Sequence, residues 1–199
     1  MEMTEKGLIL IVDDVEINRE LVARFLQRKG YQTVQACGGR DALELIAAQP
    51  FDMVLLDIMM PEMDGWEVLR VIRKTHAPAA LPVIMLTARQ ESGDVVESLR
   101  QGANDYVTKP IDFPVLLARM KVHLGLKRAE QRLQTINETL EQQVAERTAQ
   151  LDRINHTYQT LSNVNQALLR ADTEEGLLQQ VCRIVSDDAN YVFALVGYA

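Results

Sequence analysis

The stretch that decides the fold is Met53-Val54-Leu55-Leu56-Asp57-Ile58-Met59-Met60-Pro61-Glu62-Met63-Asp64-Gly65. Its first four residues are continuously apolar, which is typical of a strand buried on both faces of a parallel sheet. The run ends on an acidic residue, Asp57, and Gly65 then marks a turn. A carboxylate therefore follows directly on a buried strand, at the end where ligands bind in sheets of this kind.

Four further apolar runs lie before and after this strand, and segments with helical periodicity separate them. The five predicted strands are Leu8–Val12, Tyr31–Gln35, Met53–Leu56, Val83–Leu86 and Asp105–Val107. In the first interval, Ile17, Leu21 and Phe25 recur at helical spacing. This alternation predicts an α/β fold in which a doubly wound, five-stranded parallel sheet has a ligand site at the carboxyl ends of its strands.

Three acidic residues lie at predicted strand ends. Asp13 and Asp14 follow the first strand, and Asp57 follows the third. Strands one and three can be neighbours in a parallel sheet, so these carboxylates are expected to converge on one pocket. Three clustered carboxylates repel one another, and a hard divalent cation such as Mg²⁺ relieves that repulsion.

Two further polar residues end the remaining strands. Thr87 supplies a hydroxyl after the fourth strand, and Lys109 supplies an ammonium group after the fifth. Carboxylate, metal, hydroxyl and ammonium together are what phosphoryl transfer to a carboxylate requires. The Lys109–Pro110 bond is predicted to be cis, because Lys109 must point into the pocket while the chain turns into the next helix.

The order and spacing of these landmarks resemble the receiver domain of response regulators in two-component signalling. The residues that carry the resemblance are Asp13-Asp14, Leu55–Gly65, Thr87-Ala88, Tyr106 and Lys109-Pro110. The resemblance covers about residues 6–125, and we take 1–125 as the receiver domain. It implies a flavodoxin-like fold with strand order 2-1-3-4-5.

The same resemblance implies a role for each landmark. Asp57 would be the phosphoacceptor, assisted by Thr87 and Lys109, with Thr87 and Tyr106 as the switch residues. Mg²⁺ would be held by Asp14, Asp57 and the backbone carbonyl of Met59, with Asp13 assisting. The phosphoryl donor would be a histidine kinase or a phosphotransfer protein. The resemblance implies a signalling domain rather than an enzyme, able to phosphorylate itself from small donors and to lose the group slowly.

The chain changes character after Pro114. Apolar residues recur every three or four positions, at Leu126, Ala129, Leu133, Ile136, Leu140, Val144, Leu151, Ile154, Tyr158 and Leu161. A helix of about 50 residues is roughly 75 Å long, which is too long to pack on so small a domain. We therefore predict a dimeric α-helical coiled coil over residues 126–168, and hence a homodimer.

Two features mark the C-terminal part of the chain. Leu140 and Val144 make a second consecutive step of four, a stutter, and Glu146-Arg147-Thr148 resembles the signature of a signalling helix. Residues 169–199 resemble the start of a GAF domain that the chain does not complete. Within them, Asp172-Thr173 predicts a helix start and Tyr191–Val196 predicts a strand.

The composition of the chain argues against binding to nucleic acid and against insertion into a membrane. The formal net charge is −7, and residues 1–126 and 127–199 each carry more acidic than basic side chains, which argues against direct nucleic-acid binding. No apolar run reaches the roughly 20 residues that cross a bilayer, and no signal peptide begins the chain, so a cytoplasmic protein without membrane insertion is expected.

His76, His123 and His156 lack the context of a kinase histidine and are predicted to be solvated.

Two alternatives remain open. A phosphatase of the haloacid dehalogenase type also uses an Asp nucleophile and Mg²⁺, but it needs a second Asp two residues later, where this chain has Met59. A constitutive dimerisation scaffold with a non-signalling pocket would not need the complete set of acids, Thr and Lys.

Overall fold

A computed structural model of the chain describes residues 7–87, 101–170 and 173–188. By its internal contacts the chain divides into two units, Met1–Leu133 and Gln134–Ala199. In chain order the elements are β1 (Leu8–Val12), α1 (Glu16–Arg28), β2 (Gln32–Ala36), α2 (Gly39–Ala48), β3 (Met53–Asp57), α3 (Gly65–Thr75), β4 (Val83–Thr87), β5 (Asp105–Thr108), α4 (Phe113–Arg170) and α5 (Glu174–Asp188).

The five strands form one parallel sheet in the order β2-β1-β3-β4-β5. Every residue of β3 and β4 is buried, as their continuous apolar runs predicted. Strand β2 begins at Gln32, one residue later than predicted, because the Tyr31 amide still donates to the Leu26 carbonyl of α1 at 3.1 Å. The Gln32 amide is the first to donate to the neighbouring chain segment, to the Gly7 carbonyl at 3.1 Å. The predicted fold class and strand order are confirmed.

The helices cover both faces of the sheet. On one face α2 and α3 pack against the strands through Ala42, Val68, Leu69 and Ile72. On the other face α1 and the first part of α4 pack through Val22, Ala23, Leu26, Leu116, Met120 and Leu124. Two closed apolar layers around a buried sheet give the strand ends a fixed position, and the candidate site is built on those ends.

Helix α3 begins with a capping box directly after the loop that follows Asp57. The Asp64 carboxylate accepts from the Glu67 amide at 2.8 Å, and the Asp64 amide donates to the Glu67 carboxylate at 3.2 Å. This exchange satisfies two backbone donors of the first turn. Glu62, earlier in the same loop, has a φ of 64°, a conformation that non-glycine residues seldom adopt.

Helix α4 is continuous over 58 residues, as the sequence predicted for this region. The large apolar residues of the predicted seam are exposed, between 51% for Leu140 and 73% for Tyr158. Beyond α4, helix α5 confirms the helix predicted from Asp172-Thr173, whereas the predicted strand Tyr191–Val196 lies outside the described residues. Among the helices that the structure describes, none combines the length and apolarity that crossing a membrane requires.

Candidate phosphoacceptor site

Three carboxylates meet at the carboxyl edge of the sheet. Asp13 and Asp14 follow β1, and Asp57 ends the neighbouring strand β3. Their ligand oxygens all lie within 4.8 Å of one another. Asp13 and Asp57 are buried, with 1% and 4% exposure, whereas Asp14 is exposed. The convergence that the sequence predicted is therefore present.

The Lys109 ammonium group connects two of these acids. Its Nζ lies 2.7 Å from Asp13 Oδ2 and 2.6 Å from Asp57 Oδ2. Lys109 follows β5, two strands away from β3, and its peptide bond to Pro110 is cis, as predicted. The cation therefore lies between two buried anions, where charge-assisted hydrogen bonds are short and strong.

The charges in this cluster shift one another's proton affinity. Burial raises the pKa of Asp57 above its ordinary value, and Lys109 lowers it by a hydrogen bond and by its charge. The charge of Asp13 raises the pKa again, and the net pKa of Asp57 is raised. For Lys109, burial lowers the pKa, but the two carboxylates more than offset this, so the net pKa is raised. Lys109 is thus held as a cation, and Asp57 is a more basic carboxylate than an exposed aspartate.

Asp13 is held in place by the start of α1. Its Oδ1 accepts from the Val15 amide at 2.9 Å and from the Asn18 side-chain amide at 3.1 Å. Its backbone carbonyl accepts from the Arg19 guanidinium at 2.6 Å. Asn18 and Arg19 were not identified from the sequence, because their role depends on how α1 folds back over the end of β1. Together they fix the carboxylate that faces Lys109.

The loop after Asp57 passes very close to the strand end. A Cβ on Gly65 would lie 2.2 Å from the Asp57 carbonyl oxygen and 2.9 Å from the Ile58 Cα, so this position needs glycine. The Gly65 amide donates to the Ile58 carbonyl at 2.9 Å. The Met59 amide lies 3.4 Å from Asp57 Oδ1, and the Met59 side chain is exposed. The backbone of Met59 is therefore beside the phosphoacceptor candidate.

Thr87 is in the position that the sequence predicted, buried at the end of β4, the strand next to Asp57. Its backbone carbonyl accepts from the Lys109 amide at 2.7 Å, which joins the ends of β4 and β5. Tyr106, on β5, is half-buried against the apolar layer formed by α2 and α3. An aromatic ring with a polar hydroxyl is suited to such a half-buried position.

The surroundings of Tyr106 were not foreseen. The Arg119 guanidinium stacks over the Tyr106 ring at 5.5 Å from its centroid and also forms an ion pair with Asp105. Burial raises the pKa of Asp105, but hydrogen bonds from Arg119, the Tyr106 amide and His123 outweigh this effect. The net pKa of Asp105 is therefore lowered. His123 lies 3.3 Å from Asp105 and its side chain is only 15% exposed, so the prediction that it is solvated is wrong.

The residues at the acidic edge fit a divalent cation. Three carboxylates with oxygens within 4.8 Å, one of them open to solvent, are the hard ligands that Mg²⁺ takes together with water. Lys109 contacts one oxygen of Asp13 and one of Asp57, which leaves the second oxygen of Asp57 on the side of the Met59 amide. We regard Asp13, Asp14 and Asp57 as the residues that would hold the ion.

Comparison with protein families gives a direct match. The model of the family described as response regulator receiver domain matches residues 9–121, which include the three carboxylates, Thr87, Tyr106 and Lys109. Among curated proteins, a probable cyclic di-GMP phosphodiesterase of Vibrio cholerae is 40% identical over 154 residues, 77% of this chain and 35% of that protein. The regulatory protein VanRc of Enterococcus gallinarum is 41% identical over 122 residues, 61% of this chain and 51% of that protein.

Solved structures agree with these sequence matches. The receiver domain of the Francisella response regulator 1452 is 30% identical, with a TM-score of 0.56, and the match covers 60% of this chain and 97% of that one. A putative response regulator with a GGDEF domain is 28% identical, with a TM-score of 0.59, over 62% of this chain and 51% of that one. The chain spans about a third to a half of the curated relatives it matches.

Proposed function

The chain belongs to the response regulator receiver domain family of two-component signalling, and on this premise we propose that Asp57 accepts a phosphoryl group and that the resulting change is relayed through α4. The observation that carries the proposal is the contact of the Lys109 ammonium with Asp13 and Asp57 at the edge where three carboxylates meet. Asp57 is the buried carboxylate on the central strand, and it is our candidate nucleophile.

Each residue of the site has a task in this proposal. The carboxylate of Asp57 attacks the phosphorus of the donor, and the bond from phosphorus to the donor's leaving group breaks. Lys109 pairs with the charge on the phosphoryl oxygens, and the Thr87 hydroxyl donates to one of them. Mg²⁺ held by Asp13, Asp14, Asp57 and the Met59 carbonyl would neutralise further phosphoryl charge. The raised pKa of Asp57 favours its nucleophilicity, provided that the pH keeps it ionised.

The phosphoryl donor in this proposal is a histidine kinase or a phosphotransfer protein. Apolar side chains on α1 are exposed beside the acidic edge, including Ile17 at 69% and Leu21 at 53%. Leu21 also lines a cavity with Pro110, Ile111 and Phe113, directly after Lys109. Exposed apolar residues beside a reactive group are typical of a surface that a protein partner covers. A protein donor that covers this patch would bring its phosphohistidine next to Asp57.

The exposed apolar seam of α4 is the basis for proposing that this helix relays the change at Asp57. Leu140, Val144, Leu151 and Ile154 are each more than half exposed along a continuous helix, and a second copy of the same helix would bury them. The match to the Vibrio cholerae protein covers 77% of this chain, so it extends past residue 121 into α4. We therefore propose a homodimeric coiled coil over residues 126–168, and we keep residues 169–199 as the start of a GAF-like domain.

Two alternative functions have less support from the site. A constitutive scaffold would not require Lys109 and Asp13 to be ordered around Asp57, so the ion pairs favour a working phosphoacceptor. A phosphatase of the haloacid dehalogenase type would need a general acid at position 59, where the structure has an exposed Met side chain.

Phosphoryl uptake tests the proposal. Incubation of the chain with acetyl phosphate and Mg²⁺ should add one phosphoryl group, as measured by intact-protein mass spectrometry. Chelation of the cation should prevent the addition, because the carboxylate cluster then lacks the charge that neutralises the donor. Uptake should also fall as the pH is lowered, because the protonated form of Asp57 neither attacks phosphorus nor binds the cation. Equal uptake with and without cation would contradict the proposed site.

A further inference from the structure

Strand β5 leads directly into Lys109, yet its own sequence specifies its register weakly. It is an edge strand of four residues that pairs only with β4, whereas β3 has a neighbour on each side. Val107 alone is buried in β5, in contrast to β3 and β4, in which every residue is buried. A strand with so little apolar patterning is prone to slip along its neighbour, so contacts outside the strand have to fix its register.

Asn104, the residue before β5, exchanges two hydrogen bonds with the first residue of β4. The Asn104 backbone amide donates to the Val83 carbonyl at 2.9 Å, and the Val83 amide donates to the Asn104 side-chain oxygen, also at 2.9 Å. The side-chain amide of Asn104 donates to the Pro78 carbonyl at 3.1 Å, in the segment between α3 and β4. A single side chain thus joins the entrance of β5 to β4 and to the segment that precedes it.

Arg73, on α3, holds the Asn104 side chain in this orientation. Its guanidinium donates to Asn104 Oδ1 at 2.9 Å, to the Gly102 carbonyl at 2.7 Å and to the Leu81 carbonyl at 3.0 Å. In the described part of the chain its hydrogen-bond partners are neutral oxygens, and burial lowers the pKa of Arg73 to about 10. The group is therefore still a cation at neutral pH, and its planar set of donors fixes the positions of several acceptors at once.

We propose that Asn104, held by Arg73, is a positioning residue for the phosphoacceptor site, because it fixes the register of β5 so that Lys109 faces the carboxylates. At the other end of the strand the Lys109 amide donates to the Thr87 carbonyl at 2.7 Å. Asn104 and Lys109 thus attach the two ends of β5 to the two ends of β4. A slip of one residue would turn the side chains to the opposite face of the sheet, and Lys109 would lose both carboxylates that its Nζ contacts. This inference rests on the proposed phosphoryl transfer.

The experiment observes the Lys109 ammonium group directly by NMR, in the full chain without Mg²⁺ or phosphoryl donor. The side-chain 15N signal of an ammonium group is observed only while hydrogen bonds slow the exchange of its protons with water, and Lys109→Arg assigns the signal by removing it. Asn104→Leu has a similar volume but lacks the side-chain oxygen and amide. We expect this variant to lose the Lys109 signal. The signal of Lys127, which donates to the Phe51 and Asp52 carbonyls, should persist as an internal control.

Phosphoryl uptake from acetyl phosphate with Mg²⁺ gives the second readout. Uptake by Asn104→Leu should fall by roughly a hundredfold, the effect expected when a group in the reacting site is misplaced by about 1 Å. Asn104→Asp keeps the oxygen that accepts from Val83 and Arg73, so this variant should restore both the Lys109 signal and the uptake. Loss of both readouts in Asn104→Asp as well would contradict the role given to that oxygen.

Arg73→Met carries the test if Asn104→Leu does not fold, and Arg70→Met, at an exposed position of the same helix, is its matched control. Arg73→Met should weaken the Lys109 signal and the uptake, whereas Arg70→Met should leave both unchanged. A wild-type chain without the Lys109 signal, or a folded Asn104→Leu or Arg73→Met chain that keeps it, would overturn the positioning role. A wild-type chain that shows the signal but takes up no phosphoryl group would instead contradict the proposed function, so the two failures are distinguishable.

Discussion

Replacement of Asp57 by Asn should abolish phosphoryl uptake from acetyl phosphate, with a loss of about a thousandfold or more. The amide cannot attack phosphorus as a carboxylate does, and it removes a negative ligand from the cation cluster. Asp13 and Asp14 are not expected to substitute for Asp57, because Asp13 is already engaged by Val15, Asn18 and Lys109, while Asp14 is exposed to solvent at the rim of the cluster. Intact-protein mass spectrometry after a fixed incubation gives the measurement.

The matched control is Asp152→Asn, which makes the same chemical change at an exposed position of α4. This variant should take up phosphate as the wild type does. Melting temperature and far-UV circular dichroism should show that the Asp57 variant is folded. Persistent labelling of the folded Asn variant would assign the phosphoacceptor to another residue.

Replacement of Leu140 by Lys should convert the proposed dimer into a monomer. In a paired coiled coil the two Leu140 side chains face each other, and two lysines there would be buried next to like charge without a partner. A buried, unpaired charge costs about 3–5 kcal/mol, so the dissociation constant should rise by roughly a hundredfold or more. Sedimentation equilibrium of the wild type and the variant measures this change.

Gln142→Lys is the control for added charge, because it lies two residues further along α4, away from the apolar seam, and is exposed. It should remain dimeric. Phosphoryl uptake should continue in the Leu140 variant, since Asp57 lies in the other unit of the chain. A wild-type chain that sediments as a monomer would contradict the proposed coiled coil, and a Leu140→Lys chain that stays dimeric would place the interface elsewhere.

The strands, the fold class and the residues at the strand ends were predicted from the sequence, because short-range patterns determine them. Met53–Leu56 is continuously apolar because β3 is covered on both faces, so strand, fold class and sheet order followed from periodicity and the receiver resemblance. Asp13, Asp57, Thr87 and Lys109 could be named because parallel strands bring their carboxyl ends to one edge. Their placement together required no knowledge of individual side-chain contacts.

Contacts between residues distant in sequence were not predictable in this way. Lys127 reads as an ordinary charged residue of an amphipathic helix, and only the packing of α4 over the sheet brings it to Phe51 and Asp52. His123 was predicted to be solvated for the same reason, since nothing nearby in sequence indicates that it faces Asp105. The proposed pairing of α4 with a second copy is a property of two chains, and within one chain it corresponds only to the exposed seam.

Locating the phosphoryl group on the chain tests directly whether Asp57 is the phosphoacceptor. An acyl phosphate on aspartate is reduced by borohydride, and the residue becomes homoserine, which peptide sequencing by mass spectrometry identifies. After incubation with acetyl phosphate and Mg²⁺, we expect homoserine at position 57 and unchanged aspartate at positions 13 and 14. Homoserine at position 13 or 14, or a phosphorylated chain with aspartate still at position 57, would contradict it.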